Sequence, residues 1–169
     1  EARHFSRTMP KDVRRPNTMN FDGAVVTDFG LTPLLFRWID KYLGRLADHL
    51  YPEPDCNARG PFESVHAFTI RYTMGDDKDL AIHQDASDLT FNLCLGTEFT
   101  GASLRFFYPD AMGGNQMAEH HHTVGYAVVH KGSIHHDVRP LQSGERENLV
   151  IWCRHRPPLP GQSRTIPPP

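Results

Sequence analysis

At 169 residues and 38% hydrophobic content, the chain is long enough for one domain with its own core and too short for the usual pair. Its 18 basic and 20 acidic side chains leave a formal charge of −2, which argues against a general polyanion binder without excluding nucleic acid as a local substrate. No apolar run approaches the roughly 20 residues of a membrane span, and the opening Glu-Ala-Arg-His-Phe-Ser-Arg has no signal-peptide core, so a soluble enzyme or binding domain is expected.

Residues 1–20 are polar and basic, ending in Arg15-Pro16-Asn17-Thr18-Met19-Asn20, and read as an extended arm. The thirteen residues from Pro157 carry six prolines and read as a tail, which leaves 21–156 as the domain. Glu1 is not a natural translation start, so a catalytic piece of a longer protein is expected. Within the domain, Gly23 to Asp28 suits a short strand. A helix follows: Thr32 can cap it, Pro33 suits the first turn, and Pro52 ends it. Leu34, Leu35, Trp38, Ile39, Tyr42, Leu43, Leu46 and Leu50 recur at spacings of three and four, predicting a face packed on a sheet.

After Pro61 the texture changes to short β-type runs: Ser64 to Thr73, Leu89 to Leu95, Ser103 to Phe107, Thr123 to His130, Ile134 to Arg139 and Glu147 to Arg154. Glycines punctuate them and no long helix intervenes, which favours an antiparallel sandwich or barrel over a parallel α/β sheet. Cys56, Cys94 and Cys153 cannot all pair and lack zinc-knuckle spacing. They point to an intracellular reducing compartment, cytoplasmic or nuclear, with Cys94 and Cys153 as buried thiols in apolar runs.

Seven of the eleven histidines lie between positions 83 and 136. In His83-Gln84-Asp85, an extended backbone would turn the imidazole and the carboxylate to one side. The second part, Ile134-His135-His136-Asp137-Val138-Arg139-Pro140, lies 53 residues on from histidine to histidine. A turn at Gln142 to Gly144 would then return the chain with Arg146. Two histidines and one carboxylate form a facial triad with open positions, the arrangement of non-haem iron(II) oxygenases, whereas a structural zinc site would close its four positions. A guanidinium suits the far carboxylate of a chelating dicarboxylate, and 2-oxoglutarate fits.

These motifs resemble the iron(II)- and 2-oxoglutarate-dependent oxygenases in their prolyl 4-hydroxylase-like branch. His-x-Asp, a distal histidine some fifty residues later and a basic residue ten positions beyond are the pattern, and Arg146 stands ten positions after His136. The likeness runs from Tyr72 to Arg154 through Phe99-Thr100-Gly101-Ala102, Arg139-Pro140 and Gly144-Glu145-Arg146. Arg15 to Asn20 and Tyr51-Pro52 extend it towards the oxygenase-domain-containing proteins of this group. The resemblance implies a mainly β, double-stranded β-helix (jelly roll) with the N-terminal helix supporting one sheet. It implies Fe(II) held by His83, Asp85 and His136, with His135 and His130 as alternatives for the third ligand. It implies 2-oxoglutarate held by Arg146 and Tyr72, O2 as oxidant and ascorbate as a stimulant.

Asn92, polar in an apolar run, would line the pocket or need a partner, and Trp152 falls on the face of Arg146. His120, His121 and His122 alternate faces and are expected at the surface or the substrate rim. Asp76, Asp77 and Asp79 read as a solvated turn. The expected reaction is hydroxylation of a C–H bond, of prolyl type in a protein or peptide, with succinate and CO2 as co-products. The alternatives are a non-catalytic jelly-roll metal- or ligand-binding module and a nucleic-acid demethylase, although the even scatter of Lys and Arg argues against general nucleic-acid binding.

Overall fold

A computed structural model describes residues 16–51 and 62–155. The first fifteen residues, Pro52, Cys56, Pro61 and the proline-rich tail lie outside them. Among the described residues ten strands form two antiparallel sheets. In chain order they are β1 (Gly23–Val25), β2 (Phe62–Thr73), β3 (Leu80–His83), β4 (Leu89–Gly96) and β5 (Phe99–Gly101). β6 (Leu104–Pro109), β7 (Asn115–His120), β8 (Ala127–Lys131), β9 (His135–Val138) and β10 (Leu141–His155) complete the set. The larger sheet runs β1-β2-β10-β4-β8, with β5 also paired to β10, and the smaller runs β3-β9-β6-β7. This is the expected jelly-roll architecture.

Alternation along β10 assigns its two faces. Ile151 and Cys153 join Ala67, Leu89 and Phe91 in one cluster with the helical residues Leu35, Ile39 and Ala47. Val150 points the other way, into a second cluster with Phe68, Ile70, Tyr72, Leu104 and Val138, between the sheets. Arg146 and Asn148 share the parity of Val150 and have no exposed surface. The inner face of the large sheet therefore carries both apolar core and buried polar groups.

The helix over residues 32–50 is present, with three differences from expectation. Thr32 is its first helical residue, and Leu31 precedes it without a side-chain cap. α1 (Thr32–Trp38) and α2 (Gly44–Leu50) are joined by a π-helical turn, Ile39–Leu43, whose extra residue rotates the apolar stripe. Leu35, Ile39 and Ala47 are buried, while Leu34, Trp38, Tyr42, Leu46 and Leu50 stay exposed among the described residues, because the stripe is wider than one contact with a sheet.

The expected first strand stops at Val25 and continues as a 3-10 turn, Val26–Phe29, ended by Gly30 at φ +71°. β3, β5 and β7 had no sequence signal: β5 has three residues, and β7 is exposed along most of its length, without alternation. The expected turn at Gln142 to Gly144 lies inside β10, and the chain runs on from β9 through Arg139–Pro140 into β10 without reversing, both paired antiparallel to the consecutive strands β5 and β6. No helix among the described residues is long and apolar enough to cross a membrane.

Ile151, 3% exposed, belongs to the first cluster, with the helix. Ile151→Ala is expected to lower unfolding free energy by about 2–5 kcal/mol in urea, with metal affinity retained because the cavity lies on the other face.

Candidate active site

His83 closes β3 and His136 sits in β9 directly opposite it in register, so strand pairing alone brings the two rings to a 4.2 Å centroid separation. Asp85 lies past the end of β3, not in the extended run expected. A backbone bond from its N–H to the Gly132 carbonyl (2.9 Å) and one from Gln84 Nε2 to the Ser133 carbonyl (2.7 Å) fold this segment back. Asp85 Oδ1 then stands 3.6 Å from Nε2 of His83 and 3.6 Å from Nε2 of His136. One donor atom from each residue falls within 4.8 Å of the others.

The remaining polar atoms of the three are already engaged. Nδ1 of His83 meets the Ala81 carbonyl at 2.8 Å, and Nδ1 of His136 meets the Ile134 carbonyl at 2.9 Å, which fixes both tautomers with Nε2 as the free lone pair. Thr90 Oγ1 donates to Asp85 Oδ2 at 2.6 Å, leaving Oδ1 for a ligand role. Two imidazole nitrogens and one carboxylate oxygen, each able to sit about 2 Å from a common ion, fit a first-row divalent metal with open positions.

Burial opposes charge on His83, but Asp85 and the Ala81 carbonyl outweigh it and raise its pKa. Burial dominates at His136 and lowers its pKa. For Asp85 burial works upward, yet His83, His136 and Thr90 together hold the carboxyl below its usual range. His135 is exposed on the opposite side of β9 and contributes nothing to the cluster. His130 is buried beside it, its Nε2 3.7 Å from Asp85 Oδ2, but it is outside the group whose donor atoms converge. Burial pushes His130 down to about 4.

A cavity of about 350 Å3 opens over the three donors and is lined by Tyr72, Asn92, Thr90, Val150 and Trp152 among others. Tyr72 stacks on Arg146, whose guanidinium carbon lies 4.3 Å from the ring centroid. Arg146 has no exposed surface and no carboxylate partner among the described residues. Its Nη1 donates to the Ala102 carbonyl, while Nε and Nη2 have no partner. Ala102 itself has φ +50° and follows Gly101 at φ +77°, where a Cβ would meet the Pro140 carbonyl at 2.6 Å. The Gly-Ala pair thus aims a carbonyl at the arginine through left-handed backbone that only glycine adopts freely. Burial drives the Arg146 pKa down and the Tyr72 pKa up, so the phenol stays protonated, its oxygen facing Asn20 and Arg146 without a well-aligned hydrogen bond to either. These orphaned donors fit a carboxylate of 2-oxoglutarate.

Among relatives, 2-oxoglutarate and iron-dependent oxygenase domain-containing protein 2 of Homo sapiens is 40% identical over 158 residues, covering 91% of this chain and 44% of that protein. The chain belongs with these oxygenase-domain proteins. It spans less than half the length of this relative. A procollagen lysyl hydroxylase and glycosyltransferase of Acanthamoeba polyphaga mimivirus is 34% identical over 91 residues, 51% of this chain and 10% of that protein. A crystal structure of a 2OG-Fe(II) oxygenase family oxidoreductase from Burkholderia pseudomallei shares the fold, with a TM-score of 0.57 and 19% identity, covering 72% of this chain and 55% of that one. No family model matches. The family is one of enzymes that use Fe(II), 2-oxoglutarate and O2.

The oxygenase cavity contains groups that the sequence pattern did not single out. Asn17, Thr18, Met19 and Asn20, counted above in an arm, line it together with His66. Asn92 does line it, and its Oδ1 accepts from Asn148 Nδ2 at 2.6 Å. Trp152 lines it and packs edge-on against Phe68 at 5.1 Å, with Nε1 unpartnered. Thr90 could have been found from its shared face with Asn92, but its hold on Asp85 required the fold. Asp77 is no solvated turn residue: its Oδ2 accepts the N–H groups of Phe21 (2.7 Å) and Asp22 (3.3 Å). His122, expected at the surface or the substrate rim, is half-buried, and neither ring nitrogen has a partner among the described residues. Burial and the charge of Arg146 push it down to about 3.

Two outcomes follow from these contacts. Thr90→Val frees Asp85 Oδ2 and is expected to weaken Fe(II) binding about 10–100-fold in anaerobic titration. The folded pKa of His122 lies below its unfolded value near 6.5, so its contribution to stability is whole above pH 6.5 and is lost as pH falls towards 3. Urea midpoints measured across that window should show a loss approaching about 1.4 kcal/mol per pH unit that His122→Gln removes.

Proposed function

We propose that this chain is the catalytic domain of an Fe(II)- and 2-oxoglutarate-dependent hydroxylase acting on a protein residue. The observation that supports it above all is the fully buried Arg146, which has two free N–H groups and no anion among the described residues and stacks on Tyr72, itself a wall of the cavity floored by His83, Asp85 and His136. A buried cation left unpaired costs several kcal/mol, and a bound dicarboxylate removes that penalty. When bound, iron and 2-oxoglutarate supply oxidative decarboxylation to succinate and CO2, coupled to transfer of an oxygen atom from O2 into a C–H bond.

The residues of this chain divide the remaining work. Nε2 of His83, Nε2 of His136 and Oδ1 of Asp85 hold the metal, with Thr90 fixing the carboxylate. Arg146 and Tyr72 receive the distal carboxylate of the cosubstrate. Asn92 and Trp152 form the wall beside it, and the apolar side chains Phe68, Ile70, Leu104 and Val138 exclude water. A protein substrate of prolyl type is our reading of the branch. A lysyl residue is the second reading, favoured by the relative named as a procollagen lysyl hydroxylase. Among the described residues that line the cavity there is no Lys or Arg, Arg146 lying behind Tyr72, which argues against a nucleic-acid substrate. A reducing intracellular compartment remains our reading too, supported by buried free thiols at Cys94 and Cys153, the latter pushed up to about 12 by burial and so inert.

Anaerobic addition of Fe(II) and 2-oxoglutarate should produce a metal-to-ligand charge-transfer band, and admission of O2 should give slow uncoupled succinate. Iron binding with neither signal would leave the non-catalytic module. His136→Ala is expected to abolish the band and turnover, whereas His135→Ala retains most of both. Arg146→Ala should raise the 2-oxoglutarate requirement about 10–100-fold, the range of a lost charge-assisted contact, and change the iron requirement far less.

A further inference from the structure

Residues 16–22 are fastened across the mouth of the large sheet by bonds at both ends. The Pro16 carbonyl meets His66 Nε2 at 3.2 Å. At the other end the N–H groups of Phe21 and Asp22 bond Asp77, the Asp22 carboxylate accepts Nε and Nη2 of Arg71 (2.8 and 2.6 Å), and its carbonyl accepts the Arg71 N–H. Between these anchors Asn20 is 1% exposed and lines the cavity.

The orientation of its carboxamide follows from the bonds around it. Asn17 accepts the backbone N–H groups of Met19 (2.8 Å) and Asn20 (2.7 Å) on one side-chain atom, which must be Oδ1. Its other atom is therefore the Nδ2 donor, and it meets Asn20 at 2.9 Å, so the Asn20 atom there must be Oδ1. The remaining atom of Asn20 is a donor, Nδ2, buried with no partner. Tyr72, also unpartnered, faces the side chains of Asn20 and Arg146. An amide donor, a phenol and the free N–H groups of Arg146 thus converge at one end of the cavity, where the Tyr72 oxygen faces both donors without a well-aligned bond to either and no carboxylate among the described residues answers them.

Resting on the 2-oxoglutarate reading above, we infer that Asn20 is a cosubstrate-binding residue whose Nδ2 donates to the distal carboxylate that Tyr72 and Arg146 receive. The segment before the first strand is then part of the active site, and Asn17 sets the direction of its amide.

Asn20→Asp is the sharpest variant, because it keeps the oxygen that Asn17 bonds and replaces only the orphaned NH2 with an oxygen. Asn20→Ala is the second, with thermal unfolding as a check on folding. Dissociation constants are read anaerobically from the Fe(II) charge-transfer band with two probes: 2-oxoglutarate, and 2-oxopentanoate, which keeps the chelating end and lacks the distal carboxylate. Relative to the unaltered chain, 2-oxoglutarate should bind about 10-fold more weakly to Asn20→Ala and at least about 100-fold more weakly to Asn20→Asp. 2-Oxopentanoate binding and Fe(II) affinity should stay within about twofold in both. Equal weakening of the two probes, or no weakening of either, would overturn the assignment and leave Asn20 as a fastener of the segment. Absence of any band in the unaltered chain would instead overturn the 2-oxoglutarate reading and this assignment with it.

Discussion

The site depends on a guanidinium that has no exposed surface and, among the described residues, no carboxylate beside it. A fold that hides Arg146 must hold it in place with what it has: the ring of Tyr72 across one side and the carbonyl of Ala102 on Nη1. Neither neutralises the charge, so the arrangement favours any small dianion that can reach it. The same demand explains local backbone that core packing does not require. Ala102 adopts a left-handed conformation, and Gly101 allows the chain to pass close to Pro140.

β10 is the element through which core and site are joined. Its outward residues Ile151 and Cys153 hold the helix, and its inward residues run from Arg146 through Asn148 and Val150 to Trp152. A slip of one residue would turn the arginine off the inner face of the sheet and the outward core row onto it, so packing of the helix against the outer face fixes the chemistry of the inner one. Pairing to β2 and β4 over most of its length makes such a slip costly.

Much of this was legible in the sequence, and the residues show why. Near-continuous apolar runs gave β2, β4 and β10, because both faces of those strands meet core. His83, Asp85, His136 and Arg146 stood out through spacing that survives in the linear chain, and the choice among the crowded histidines is explained by period-two alternation, which turns His135 outward. β7 was invisible because its residues face solvent, and β3 and β5 because they are too short to show a period. Thr90, Asn20 and His122 were missed for a different reason. Each acquires meaning from a neighbour far away in sequence or from a donor left over after local bonds are formed, and no local pattern encodes either. The helix was found from its periodicity, but the π turn that divides its apolar surface has no comparable signature.

The direct opposition of His83 and His136 has a mechanical side. β3 is a four-residue edge strand that touches the rest of its sheet through β9 alone, and its register with β9 is interrupted between Leu80 and His83. An ion gripped by both imidazoles would rivet that edge to its neighbour. Chelation would then loosen a margin of the scaffold as well as silence the catalyst, so amide exchange along residues 80–85 would track metal loading more closely than exchange anywhere in the larger sheet.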